Sequence, residues 1–133
     1  MPTLRLIDSI TELSVRDANC IAVSGSHGGI SSARFAAAAN PLLAVFNDAG
    51  IGKDAAGIAG LVWLQVQGLA ACCVAHTSAC IGVAQSTLDH GIISHANEAA
   101  HALGVRLGQT CKHAVMHLQH TQSTSCKNTG HQS

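Results

Sequence analysis

A chain of 133 residues suits one domain, and its seven Lys and Arg balance seven Asp and Glu. With only 11% charged residues and no basic stripe, a nucleic-acid partner is excluded. The apolar runs are too short and too interrupted to span a bilayer, so no membrane partner is expected. Met1–Ile10 has neither a basic start nor an apolar signal core, so a cytoplasmic location is expected.

Thr3 to Ile7 places Leu4 and Leu6 between polar neighbours, the pattern of an edge strand. Cys20 to Val23 is a short apolar strand entering the loop Ser24-Gly25-Ser26-His27-Gly28-Gly29. The Ala-rich stretch Ile30 to Ala39 predicts a helix that Asn40-Pro41 stops. Leu42 to Phe46 is the next strand. Asp54 is placed to cap a helix over Ala55 to Gln67, which Gly68 ends, and Leu69 to Ala75 is a third core strand. Thr77 to Gly91 has no clear period and predicts a long functional loop. Ile92 to Leu103 predicts a helix, Val105 to Leu107 a short strand, and Thr110 the cap of a last helix ending near His120. The polar stretch 121–133 predicts a disordered tail beyond a single domain over 1–120.

These lengths spell β-α-β-α-β. The expected fold is a three-layer α/β domain with a short, mainly parallel sheet, of Rossmann/flavodoxin-like or caspase-like topology. Aromatics are almost absent, with two Phe, one Trp and no Tyr, so the core must be built from Ala, Val, Ile and Leu. In a reducing compartment Cys20, Cys72, Cys73 and Cys80, in or beside strands, read as packing residues. The helix after Asp54 is apolar all round, which predicts a subunit contact at Trp63 and a homo-oligomer.

Polar side chains cluster after the strands, where open parallel sheets bind ligands. The candidates for proton transfer are His27, Asp48 and His76, with Lys53 to hold an anion. Ser24, Ser26, Gly28, Asn47, Ser94 and His95 are candidates for substrate binding. Gly52-Lys53-Asp54 invites comparison with a phosphate-binding P-loop. Asn47 stands at its first Gly position and Asp54 at its Ser/Thr position, where a carboxylate would repel phosphate. A P-loop NTPase is therefore rejected. No Ser lies in a G-x-S-x-G elbow, and no cysteine pair has zinc-site spacing. His113, His117 and His120 share a helix face and read as its polar surface. Neither a metal nor a cofactor is expected.

Three blocks carry a resemblance: Ser24 to Gly29, Phe46 to Asp54, and Ile93 to Asn97. Together they resemble a small bacterial α/β family in which Ser-Gly-Ser-His-Gly-Gly, Phe-Asn-Asp-Ala-Gly-x-Gly-Lys-Asp and Ile-Ser-His-x-Asn recur. The resemblance implies a shared site and supplies no activity. His27-Gly28 is also similar to the His-Gly of caspase-like and CHAT peptidase domains. Asn47-Asp48-Ala49-Gly50 stands where they carry the nucleophilic cysteine, so the likeness implies no protease activity. The expected function is a cofactor-independent lyase, isomerase or hydrolase acting on a small polar or carboxylated metabolite. The alternative is a non-catalytic ligand-binding or assembly module. The enzyme reading expects His27, Asp48 and Lys53 to line one cavity with His76 or His95.

Overall fold

The computed structural model describes residues 2–52 and 55–129, with residues 122–129 described by backbone alone. Lys53 and Asp54 lie outside the described residues, and with them the expected anion-holding and helix-capping roles. Among the described residues the strands are β1 (Leu4–Ile7), β2 (Ile21–His27), β3 (Leu43–Asn47), β4 (Ala70–Val74) and β5 (Ile93–Ala96). The helices are α1 (Ile30–Ala39), α2 (Ala59–Val66), α3 (Ala84–His90), α4 (Glu98–Ala102) and α5 (Cys111–Thr129). The sheet order is β1-β2-β3-β4-β5, with β1 to β4 parallel and β5 antiparallel to β4. The strands step sequentially, without the reversal of order that marks the Rossmann and flavodoxin sheets.

Period-two alternation sends side chains of β2, β3 and β4 to two buried faces. Ile21, Val23, Leu43, Val45, Cys72 and Val74 pack with Leu88 of α3, Ala100 of α4, and Cys111, Val115 and Leu118 of α5. Ala22, Ala44, Phe46, Ala71 and Cys73 pack with Ala33 and Ala36 of α1 and Leu61 and Leu64 of α2. Helices therefore cover both faces of the sheet, giving three layers. No helix among the described residues is long and apolar enough to cross a membrane.

Several boundaries differ from the sequence-based expectations. β2 runs on through Ser24 to His27, so the first block is mostly strand. The segment 77–91 contains α3, and 92–103 holds β5 and α4 rather than one helix. No strand forms at Val105–Leu107; the local pairing is one bridge between Ile92 and Thr110. The cap at Thr110 is present, its hydroxyl accepting from the His113 amide at 3.1 Å. The last helix continues past His120 to Thr129, since neither Pro nor Gly interrupts it there. Trp63 is half-buried against the α1–α2 core, and Val62 and Val66 are the outward residues of α2. Cys80 is exposed, which corrects its reading as a packing residue, whereas Cys20, Cys72, Cys73 and Cys111 are buried.

Candidate functional site

Asp48 follows the end of β3 and is 5% exposed. Its Oδ1 accepts from the backbone amides of Gly50 at 2.8 Å and His76 at 3.0 Å. The Ser94 hydroxyl donates to Oδ2 at 2.8 Å. Burial acts to raise the carboxyl pKa, but the hydrogen bonds from Gly50, Ser94 and His76 outweigh it. The carboxyl is held below its ordinary value, so Asp48 is ionised at neutral pH. The loop leaving it is strained, since Ala49 and Ile51 both have left-handed φ, at 52° and 69°.

Ser94 and His95 sit on β5. With the Ser94 proton directed to the Asp48 carboxylate, Ser94 Oγ is left as acceptor for His95 Nδ1, 3.0 Å away. This assigns the proton of neutral His95 to Nδ1 and leaves Nε2 with a free lone pair. His95 Nδ1 is also 4.0 Å from Asp48 Oδ2. His76 approaches the other carboxylate oxygen, with Nδ1 3.4 Å from Oδ1. Asp48 is thus flanked by two imidazoles, one of which it orients through Ser94. The order Asp–Ser–His differs from that of a nucleophilic triad, in which the histidine lies between the other two. Here Ser94 gives its hydrogen to a carboxylate and is not activated as a nucleophile.

Ser94 and His95 line a cleft of about 400 Å³ between α2 and β5. Its walls include Ile58, Leu61, Val62 and Leu107. His76 instead lines a second cavity of about 540 Å³, with Cys80, Ser86 and His90. The expected convergence in one cavity is therefore not found among the described residues. The second and third sequence blocks meet through Asp48 and Ser94, but the two imidazoles beside Asp48, His76 and His95, face different clefts.

The first block does not join them. His27 pairs in register with Asn47, and its Nδ1 accepts from the Gly29 amide at 3.2 Å. The Ser24 hydroxyl donates to the Val45 carbonyl at 2.8 Å, and Ser26 Oγ accepts from the Ile10 amide at 2.9 Å. The Gly25 carbonyl accepts from the Gly82 amide, so the segment entering α3 covers this end of β2. At Gly28 a Cβ would stand 2.6 Å from both Cys73 Sγ and the Gly57 carbonyl oxygen, so this glycine permits close packing. Asn47 is fully buried, with Nδ2 donating to the Ala79 carbonyl and Oδ1 accepting from the Ala49 amide. The Ser24, Ser26 and Asn47 side chains are engaged in the fold itself, whereas the His27 ring is exposed and, among the described residues, bonds only within its own turn.

The apolar character of α2 reads from sequence as a subunit contact at Trp63, not as the wall of a cleft; the available signal is that helix's all-round apolar character. Among the described residues no group of three His, Cys, Asp or Glu side chains is placed to hold a metal. Comparisons with family models, curated proteins and solved structures gave no match to this chain. The functional reading therefore rests on the chemistry of the site.

Proposed function

We propose that this protein is a cofactor-independent acid–base enzyme that takes a small molecule into the α2–β5 cleft, with His95 as the proton-transferring group. The observation that carries this reading is the chain Asp48–Ser94–His95, with contacts of 2.8 and 3.0 Å. An ionised, buried carboxylate at one end fixes the serine rotor. The serine fixes the imidazole tautomer and ring orientation, and it stabilises the imidazolium formed when Nε2 takes a proton. Ser94 and Asp48 are positioning residues, and His95 is the group that meets the substrate. Such a site suits proton abstraction and return, as in an isomerase or lyase. A library of small metabolites screened by thermal shift, with NMR followed for turnover of each stabilising compound, tests the reading. Turnover lost in His95→Gln and reduced in Ser94→Ala supports it. Turnover unchanged in His95→Gln removes it.

A second reading, a ligand-binding or assembly module without turnover, is favoured by two observations. His76 and His95 face separate clefts, and Val62 and Val66 on α2 are 70% and 79% exposed. Light scattering on the wild type and on Val66→Lys tests the assembly part. A self-associated wild type that becomes monomeric on this substitution supports a homo-oligomer built on α2. Compounds that stabilise the protein but are never transformed support the binding part.

A further inference from the structure

We infer that the ligand of the α2–β5 cleft carries an uncharged aliphatic body, which lies along α2 while its polar group meets His95. This rests on the reading of His95 as the reactive group and adds the class of substrate to it. Ile58, Leu61 and Val62 of the α2 side and Leu107 opposite present hydrocarbon to the cleft. The polar residues beside them are mostly spent. Asn97 gives its amide hydrogens to the Leu61 and Leu69 carbonyls and accepts from the Ala71 and Ala100 amides. Gln65 Oε1 accepts from the Ala99 amide at 2.8 Å. Ser94 is held by Asp48.

Among the described lining residues there is no Lys or Arg, and the one permanent charge is the carboxylate of Glu98. Among the described lining residues no permanent cation offsets the water that an anion placed here would lose. The cleft volume of about 400 Å³ lies within the usual range for small-molecule sites, which combine apolar walls with a few polar groups. His95 supplies the polar group that remains, so the apolar walls continue directly from the candidate reactive group.

The test uses the full chain and primary alcohols from butanol to octanol, with hexanoate as the anionic probe. Binding is read by amide chemical shifts of Ala96 and Leu107. Each added methylene should tighten the dissociation constant about fourfold until the cleft is filled. Hexanoate should bind at least about tenfold more weakly than hexanol. Val62→Asp, at an exposed position where folding is tolerant, should abolish the chain-length dependence. Affinity that does not change with chain length, or hexanoate binding as tightly as hexanol, overturns the inference. So does a Val62→Asp protein that binds the series unchanged. Failure of the two readings is distinguishable. Apolar binding with turnover intact in His95→Gln removes the acid–base role alone, and His95-dependent turnover without apolar binding removes the substrate class alone.

Discussion

Ser94 Oγ lies 2.8 Å from Asp48 Oδ2, a donor on the edge strand meeting a carboxylate that leaves the centre of the sheet. This bond sets the state of both partners, because it helps keep Asp48 ionised and commits the Ser94 oxygen to accept from His95. Ser94→Ala should lower stability by about 1–2 kcal/mol, the cost of removing a charge-assisted partner from a buried acceptor. It should also release the His95 tautomer. Imidazole nitrogen shifts of the neutral ring should move from the Nδ1–H form toward a mixture, whereas a purely structural role for Ser94 would leave them in place.

Asp48 makes stability depend on acid. Its folded carboxyl pKa is depressed, so its contribution is complete above the unfolded value of about 3.9. The contribution is lost as pH falls through the lower folded value. Urea midpoints measured between pH 6 and pH 3 should therefore fall for the wild type. They should fall less for Asp48→Asn, which starts less stable at pH 6. Parallel curves for the two proteins would assign the acid sensitivity elsewhere.

Asn97 ties three elements together. Its side chain meets the Ala71 amide of β4 at 3.1 Å, the Ala100 amide of α4 at 2.9 Å, and the carbonyls of Leu61 and Leu69 at 3.2 and 2.9 Å. Asn97→Ala removes a helix cap and strands buried polar groups. A loss of about 3 kcal/mol is expected by denaturant unfolding. A loss below about 1 kcal/mol would mean that water replaces the amide.

Gly60 lets the start of α2 sit on the β2–α1 turn. A Cβ there would stand 2.5 Å from the Gly29 carbonyl oxygen and 2.8 Å from that of Gly28. Gly60→Ala should therefore destabilise by about 1–3 kcal/mol, although alanine is the better helix former. A raised thermal midpoint would show that the helix can move away at no cost.

Thiol reactivity should separate the cysteines. Burial raises the thiol pKa of Cys20 to about 11 and of Cys111 to about 12, with Asp17 adding to the effect at Cys20. Burial also pushes up Cys72 and Cys73. Cys80 is exposed. In a Cys126→Ser background, an aromatic disulfide reagent should find one fast thiol in the native protein, lost in Cys80→Ser. A second fast thiol would show that a core strand opens.

The sequence by itself determined the β-α-β-α-β core, because short continuous apolar runs bounded by Gly, Asn and Pro are local signals that act over a few residues. It also marked Asp48, His76, Ser94 and His95 as candidates, because polar side chains are scarce and stand at strand ends. Other features were decided by contacts between distant segments. The amide of Ala84, at the start of α3, is satisfied by Asp8 from 76 positions away, so no local cap announces that helix. β5, Ile-Ser-His-Ala, carries a single large apolar residue and so no legible alternation, and it gains its partner only when Cys73 comes alongside His95. The first block showed the same polar chemistry as the others, yet Ile10, Val45 and Gly82 take up the hydrogen bonds of Ser26, Ser24 and Gly25. Whether a polar group faces a ligand or the fold depends on which segment lies over it. That is fixed by packing, and it put His95 in the α2–β5 cleft and His76 in the other.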